Sequence, residues 1–513
     1  MFGRARRPIA SLCMVVLALD LAACSRVQML DTPEVVRTGE ARKLDERVLG
    51  VTLRDGREIT FDEHMSPDVR DRPKAEVRND SLFSQVAGQP YGVPLTDVQR
   101  IWIEYIDPLR TTAAVIGVVA GVLAVAIAVI IATKESCPFI YSWDGTRYVF
   151  DAEPYGGAVT RGLERDDFGD LEHLRPDSAG RYRLLVTNEV NETQYTNSMR
   201  LVVVDHRPGS RFDMDEFGRL HAVSTAVAPS SARDQDGRDL TPWLSATDHM
   251  IWEPLPPADP TGKVREEIVL TFPKPRGATR AHLVARAGTG NWGSHMIREL
   301  LDLRGTAVRD WYASVDSSRA AQDSVRAWNL RDELYVLKLD VQEPGGWRTR
   351  GLLPGGGPFI TESRVVPLDV SQSVGDSLRV RIRPPSGFWA LNSFAMSYDD
   401  TEQPVAVDTI APLSARTFDG RDVLPDLAAT DDRYYAMPTT TDRAEVSFRA
   451  PPARAGTQRT VFVHTRGYYR LYLDERAAPD IAALQRIIEQ PDAAARLSAE
   501  SFAKRHIATA RPR

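Results

Sequence analysis

Residues 228–248 read APSSARDQDGRDLTPWLSATD, and residues 411–431 read APLSARTFDGRDVLPDLAATD. Fourteen of these twenty-one positions are identical at a constant offset of 183 residues and without a gap, so the chain contains an internal repeat. Fainter similarity continues on both sides, where AHLVARA from Ala281 parallels TVFVHTR from Thr460 and NSMRLVVVD from Asn197 parallels NSFAMSYD from Asn392. The two copies span about 180–300 and about 376–475.

The sequence around the repeat has the pattern of β structure, with short strand-like runs separated by turn residues. Phe139–Tyr141, Tyr148–Phe150 and Tyr182–Val186 are predicted strands, and Asp144-Gly145 is a predicted turn. Two copies are too few for a solenoid. We therefore expect a mainly β protein that contains either a pair of β-sandwiches or one composite sandwich built from two related halves.

Residues 113–132 read AAVIGVVAGVLAVAIAVIIA, which is twenty positions without a charged or hydrogen-bonding side chain. A helix of this length spans the hydrocarbon core of a bilayer, so a transmembrane helix is predicted at 112–133. Gly117 and Gly121 have the G-x-x-x-G spacing that lets two helices approach closely, which offers a face for homo-oligomerisation. The alternative is that glycine, alanine and valine are merely common in such segments.

The N-terminus resembles a lipoprotein signal peptide. A positive stretch with three arginines precedes a short apolar run, and Leu21-Ala22-Ala23-Cys24 matches the bacterial lipobox. Lipidation is therefore predicted at Cys24, and the alternative is an uncleaved signal anchor. Asp20, at the end of the apolar run, departs from the usual pattern.

The remaining segments complete a predicted domain order. VLGVTLRDGREITF at 48–61 reads as a hairpin around Asp55-Gly56, and 93–106 alternates as a further strand. Helical spacing is seen near 317–330 and after Ile481. The expected order is a signal peptide at 1–23, a tether at 24–44, a small β-rich domain at 45–108, the membrane helix, a β-sandwich region with the first copy at 137–300, a connecting β/helix segment at 301–375, the second copy at 376–475 and C-terminal helices at 476–513.

One stretch carries a family resemblance. CPFIYSWDGTRYVFDAEPYGG, from Cys137 onward, resembles the start of the large domain in an uncharacterised group of bacterial envelope proteins, and the likeness extends loosely through the duplicated DGRD region. The resemblance implies an envelope protein and attaches no activity or catalytic residue to the chain.

Composition excludes some classes of function. A net charge of −6 leaves no basic footprint for nucleic acid, and three cysteines cannot form a disulfide framework. Gly288–Gly293 satisfies G-x-G-x-x-G between a strand and a helix, yet Trp292 is too bulky for a pyrophosphate turn and the second copy has no such loop. We therefore expect no dinucleotide cofactor.

The repeat contains a candidate calcium site. Asp234, Asp236 and Asp239 place three carboxylates on a short loop with Gly237, which suits a cation that prefers several oxygen ligands, such as Ca²⁺. The alternative is that Asp-Gly forms a turn and the outer aspartates cap it or pair with neighbouring arginines.

Two functions are open at this stage. The leading hypothesis is a non-enzymatic, membrane-anchored envelope lipoprotein that binds another envelope protein or a glycan, with eight aromatics in turn-rich contexts as candidate stacking platforms (Trp143, Tyr155, Trp243, Trp252, Trp292, Trp311, Trp347 and Trp389). The alternative to stacking is that these aromatics fill the sheet cores. The second hypothesis is a glycan-active hydrolase, which needs two carboxylates facing each other across a cleft, and 164–172 is rich in them. The alternative is that these carboxylates belong to a charged, solvated loop.

The orientation in the membrane is open as well. A lipidated Cys24 outside the cytoplasm followed by one span would place 134–513 inside it. The charges that flank the span are nearly balanced, with Arg100 and Arg110 before it and Lys134 and Arg147 after it, so they favour neither orientation.

Overall fold

Strands dominate the protein, as its sequence predicts. The computed structural model describes residues 25–30, 48–53, 58–61, 76–78, 81–86, 89–106, 138–248, 251–254, 256–257, 259–358, 360–398 and 401–510. The predicted signal peptide, Cys24, Cys137 and the apolar run with Gly117 and Gly121 lie outside these ranges. Within them, no helix combines the length and the apolar character that crossing a membrane requires. The chain divides into two units, 1–132 and 133–513, which are described separately.

The described part of the first unit contains two small antiparallel sheets. Their strands are β1 Ser25–Leu30, β2 Val48–Leu53, β3 Glu58–Thr60, β4 Glu76–Arg78, β5 Ser81–Val86, β6 Gln89–Pro94 and β7 Val98–Ile106. β2 pairs with β3, which confirms the predicted hairpin, and the two sheets have the orders β1-β7-β2-β3 and β4-β5-β6. β1 pairs with β7, so the tether predicted at 24–44 contains a strand. A local sequence pattern does not show this pairing, because the partner strand lies far along the chain.

The second unit contains the repeat. Its strands are β8 Phe139–Trp143, β9 Tyr148–Ala152, β10 Arg165–Asp170, β11 Arg181–Thr187, β12 Glu192–His206, β13 Phe212–Met214, β14 Leu220–Ala222, β15 Ser231–Asp234, β16 Ile268–Pro273, β17 Arg280–Thr289, β18 Val336–Glu343, β19 Gly346–Pro354, β20 Glu362–Asp369, β21 Ser377–Ile382, β22 Trp389–Ser397, β23 Ala406–Ile410, β24 Ser414–Thr417, β25 Tyr435–Met437, β26 Arg443–Arg449 and β27 Gln458–Leu471. Its α-helices are α1 Thr241–Leu244, α2 Asn291–Asp302, α3 Val308–Ser317, α4 Arg319–Asp332, α5 Leu424–Leu427, α6 Ile481–Glu489 and α7 Ala493–Ala510. The predicted strands at 139–141, 148–150 and 182–186 are confirmed, and Gly145 occupies the predicted turn with φ +104°.

The two copies of the repeat are interleaved in the sheets. One five-stranded sheet has the order β24-β26-β11-β8-β9, so strands of the second copy extend a strand of the first. Another has the order β15-β16-β21-β18-β19, so strands of the first copy extend a strand of the second. The long central pair, β12 with β27, also joins one copy to the other. The segments 180–300 and 376–475 therefore share their sheets.

Each of these five-stranded sheets shares a hydrophobic core with a second sheet. Leu184 of β11 and Val446 of β26 lie in one cluster with Leu201 of β12 and Val463 of β27, which belong to the sheet β10-β27-β12-β23. A second cluster joins Leu270 and Val380, on β16 and β21, to residues of the sheet β20-β17-β22. All of these side chains are buried, and burial of this apolar area is the main stabilising contribution.

The repeated sequence folds in the same way in both places. β15 and α1 recur as β24 and α5 with every bound displaced by 183 residues. The backbone bridge between Arg233 and Asp239 recurs between Arg416 and Asp422. Gly237 and Gly420 both have positive φ, at +81° and +92°, so the turn requires glycine at that position.

Most of the longer helices lie after the last strand of each copy, β17 or β27. The predicted helix near 317–330 is α4, and two further helices, α2 and α3, precede it. The predicted C-terminal helices are α6 and α7, which are separated near Pro491. α6 packs on α4, since Arg331 donates to the carbonyl oxygens of Ile487 and Ile488.

Candidate functional site

A cavity of about 490 Å³ lies among the helices of the second unit, and it is called the helix cavity here. Its volume falls within the roughly 300–1,000 Å³ that is usual for small-molecule sites. Most of the side chains around it are apolar. The lining includes residues of α2 (Ile297, Leu300, Leu301), α3 (Trp311, Ser314, Val315), α4 (Ala321, Ser324, Val325, Ala327, Trp328, Arg331) and α6 (Leu484, Ile487, Ile488), together with Arg304 between α2 and α3 and Tyr335 after α4.

Helical periodicity explains why these helices turn apolar faces toward one another. Residues three and four apart lie on the same face of a helix. On α2 this spacing joins Ile297 to Leu300 and Leu301, and on α6 it joins Leu484 to Ile487 and Ile488. Ile488 is 60% exposed, so an apolar side chain stands at the edge of the cavity in contact with solvent.

Arg304 is the distinctive polar residue of the helix cavity. Its guanidinium carbon lies 4.3 Å from the centroid of the Trp311 ring, and its Nε is buried without a hydrogen-bond partner. Among the described residues, no carboxylate pairs with this side chain. Burial lowers the pKa of Arg304 to about 10, so the side chain stays charged at neutral pH.

Arg331, the other arginine of the lining, is fully engaged. It contacts Asp332 at 2.8 Å and donates to the carbonyl oxygens of Ile487 and Ile488 at 2.7 and 2.6 Å. Among the described residues that line the helix cavity, none is acidic. The cavity therefore combines an apolar wall with the cation of Arg304, which no carboxylate of the described part of the chain pairs with.

The three aspartates predicted to bind calcium have separate partners. Asp234 Oδ1 accepts from the backbone N–H groups of Asp236 and Arg238, Asp236 contacts Lys263 Nζ at 2.8 Å, and Asp239 accepts from Thr241. In the described part of the chain, no three His, Cys, Asp or Glu side chains are grouped to hold a metal. This geometry favours the turn-capping alternative.

The G-x-G-x-x-G stretch lies between strand β17 and helix α2, as its sequence indicates. β17, however, is antiparallel to both β20 and β22, unlike the parallel strands of a dinucleotide fold. A Cβ at Gly293 would lie 2.7 Å from Phe388 Cα, so this glycine allows close packing of the α2 backbone. The motif is thus explained by packing.

Most carboxylates of 164–172 form ion pairs with arginines. Asp167 of β10 and Glu362 of β20 both contact Arg364, at 2.9 and 2.5 Å, and all three side chains are buried. Burial raises the pKa of Glu362 to about 7. Burial also acts to raise the pKa of Asp167, but Arg364 and Arg165 outweigh it, so that pKa is lowered. We call these three residues the buried ion cluster, and they join the two sheets that contain β10 and β20.

Asp170 differs from its neighbours. It lines a separate cleft of about 690 Å³, together with Glu172, Arg211 and Arg286. Burial, with a further contribution from Asp213, raises the pKa of Asp170 to about 7. A carboxyl group that is half protonated near neutral pH is chemically suited to proton transfer. Glu172, the nearest carboxylate in sequence, forms an ion pair with Arg286.

Half of the eight predicted stacking aromatics fill the cores. Tyr155, Trp243, Trp252 and Trp389 are buried, which supports the core alternative for these four. Trp311 lines the helix cavity. The other three are partly exposed: Trp292 Nε1 donates to Ser498 Oγ, and the guanidinium groups of Arg183 and Arg381 lie over the rings of Trp143 and Trp347.

The sequence reasoning missed two residues of the helix cavity, Arg304 and Trp328. Trp328 has a local signal, since it lies seven residues after Ala321 on the same face of α4. Arg304 has none, because its setting depends on the meeting of α2 and α3.

Comparison with known proteins adds no assignment. No protein-family model matches the chain, and a search of curated proteins found no match.

Proposed function

We propose that this chain is a membrane-anchored lipoprotein of the bacterial envelope that acts as a binding protein, and that the helix cavity is where it holds a small apolar ligand. The single observation that carries the proposal is the cavity itself: about 490 Å³, lined mainly by apolar side chains and edged by the exposed Ile488. A well-formed apolar pocket with a few polar groups is the usual form of a ligand site.

The membrane part of the proposal is supported by sequence. The lipobox at Cys24 and the apolar run at 113–132 supply two anchors. Protease accessibility of an epitope placed at Arg513, in whole cells and in spheroplasts, tests the orientation of the large unit. Protection in both would support a cytoplasmic location for that unit, and cleavage in whole cells would exclude it.

We further propose that 138–471 forms two β-sandwich modules that exchange halves. Two pairs of facing sheets, each with its own core and each drawing strands from both copies, support this arrangement. In this view the sandwiches form the scaffold, and the helices that follow β17 and β27 supply the binding cavity.

Filling the cavity tests the binding proposal. Ala327 lines the cavity and is exposed, so Ala327→Trp should narrow it without disturbing the core. Ala320→Trp is the matched control, since Ala320 is also an exposed alanine of α4 but does not line the cavity.

The full chain in phospholipid vesicles is exposed to a photoactivatable long-chain alcohol, and cross-links at lining residues are counted by mass spectrometry. We expect Ala327→Trp to reduce them severalfold and Ala320→Trp to leave them unchanged. Equal labelling of both variants and the wild type would overturn the cavity as a binding site.

Asp170 favours the second candidate, a glycan-active hydrolase of the envelope. Its raised pKa and its place in the 690 Å³ cleft suit a general acid. Asp170→Asn should then abolish turnover of envelope glycan by the full chain. Asp166→Asn is the control, because Asp166 lies on the same strand but pairs with Arg466 and His464 in another pocket. Absence of turnover by the wild-type chain would remove this candidate.

A further inference from the structure

We infer that the helix cavity takes a single-chain anionic amphiphile, with its acyl chain among the helices and its anionic head at Arg304. This inference rests on the proposed function and names the chemical class of the ligand. Carboxylate and phosphate heads share the chemistry that the site recognises, which is a compact negative charge at the end of an alkyl chain.

Volume and lining determine the tail. An empty apolar cavity of about 150 Å³ holds one benzene-sized molecule, so 490 Å³ corresponds to roughly three of them, or about twenty carbon atoms. Leu301, Val315 and Ile487 are buried and line the cavity, so an alkyl chain would meet apolar atoms on several sides. A cavity of this size fits one chain better than the two chains of a diacyl lipid.

The unmatched charge determines the head. A partly buried cation without a counter-ion is unfavourable, and an arriving anion would remove this cost. Arg304 is such a cation in the described part of the chain, whereas Arg331 is occupied by Asp332 and two carbonyl groups. Because the Trp311 ring covers one face of the Arg304 guanidinium and Nε is buried, its terminal nitrogens are the groups left to donate to an anion.

Two hydroxyl groups at the rim of the cavity could also donate hydrogen bonds to an anionic head group. Ser314 and Ser324 are exposed and line the cavity on α3 and α4. A head group near Arg304 would therefore meet hydrogen-bond donors and no carboxylate among the described lining residues. A cationic amphiphile would meet the like charge of Arg304, and a neutral one gains only the burial of its tail.

The test compares head groups on one chain length. The full chain in phospholipid vesicles is labelled with photoactivatable dodecanoate, dodecyl phosphate, dodecanol and dodecyltrimethylammonium, each below its micellar concentration. Partition into the vesicles is the same for every protein variant, so differences between variants report the site. We expect the two anions to label the lining about tenfold to hundredfold more efficiently than dodecanol, and the cation to label it least.

Variants of Arg304 provide the decisive comparison. Arg304→Met should bring the anions down to the level of dodecanol while leaving dodecanol unchanged, and Arg304→Lys should retain part of the preference. Arg326→Met is the control, since Arg326 is an exposed arginine of α4 outside the lining. Melting curves verify that each variant is folded.

The outcomes separate the two proposals. If dodecanol labels the lining as well as dodecanoate and Arg304→Met changes neither, the inference about the head group is wrong while the cavity remains a binding site. If none of the four probes labels the lining, or if Ala327→Trp has no effect on any of them, the proposed function itself fails. If only one of the two anions labels the lining of the wild type more efficiently than dodecanol does, that result identifies the head group as carboxylate or phosphate and supports the inference.

Discussion

Removing Arg364 should destabilise the second unit strongly, and the loss should grow with pH. Arg364→Met deletes the cation that contacts Asp167 at 2.9 Å and Glu362 at 2.5 Å. Asp167 keeps Arg165 at 3.0 Å and the Tyr155 N–H at 3.0 Å, whereas Glu362 keeps the Glu153 N–H at 3.0 Å. Breaking a buried ion pair from one side costs about 3–5 kcal/mol, and we expect a loss of that size at pH 8.

The pH dependence follows from Glu362. Its pKa of about 7 is raised above the ordinary value of 4.5, so below pH 7 the folded protein already holds this carboxyl protonated. Loss of Arg364 raises that pKa further, because Arg364 acts to lower it. Above pH 7 the folded variant therefore binds more protons than the folded wild type does. The free energy of unfolding of the variant, relative to that of the wild type, should fall by about 1.4 kcal/mol per pH unit.

The assay is urea denaturation of the full chain, followed by tryptophan fluorescence at pH 6 and pH 8. Eight of the nine tryptophans lie in 133–513, so the signal reports mainly the second unit. Adding Glu362→Gln to Arg364→Met should make the loss the same at both pH values, since the amide has no charge to bury. Arg319→Met, which breaks an exposed pair with Asp323, should cost less than about 1 kcal/mol. A loss below that level for Arg364→Met, or further destabilisation by Glu362→Gln at pH 8, would refute the reasoning.

Three further predictions concern other parts of the chain. The pKa of Asp170 is raised to about 7 from 3.8, so the contribution of Asp170 to the free energy of unfolding should fall as pH rises from about 4 to about 7. Asp170→Asn should remove that pH dependence in urea denaturation at pH 5 and pH 8. An unchanged pH profile in the variant would contradict this prediction. Gly293→Ala should cost about 1–3 kcal/mol because its Cβ would lie 2.7 Å from Phe388 Cα, whereas Gly345→Ala, whose nearest neighbour is an arginine nitrogen at 3.7 Å, should melt close to the wild type. Cys24→Ala should abolish metabolic labelling of the chain with palmitate, and persistent labelling would place the lipid elsewhere.

Local features could be predicted from the sequence and long-range ones could not. The strands β8, β9 and β11, the hairpin of β2 and β3 and the turn at Gly237 follow from alternation and from Asp-Gly pairs, which act over a few residues. The pairing of β11 with β26 joins residues more than two hundred positions apart, and alternation does not show which strand will be the neighbour. For the same reason the aspartates near Gly237 could be read either as ligands or as caps until their partners were seen.

The helix cavity is formed largely by helices that the two copies of the repeat do not share. Identity between the copies is concentrated in the turn and short helix at 228–248 and 411–431, where one backbone geometry must be kept twice. After β17 and β27 the copies diverge, one into α2–α4 and the other into α6 and α7. These unrelated helices meet, as the hydrogen bonds from Arg331 to the carbonyl oxygens of Ile487 and Ile488 show. Most walls of the cavity thus come from helices that the two copies do not share, and the binding proposal predicts that substitutions there change ligand preference without disturbing the sheets. Variants of Arg304 and Ala327 should accordingly alter ligand labelling while the unfolding of the second unit stays close to that of the wild type.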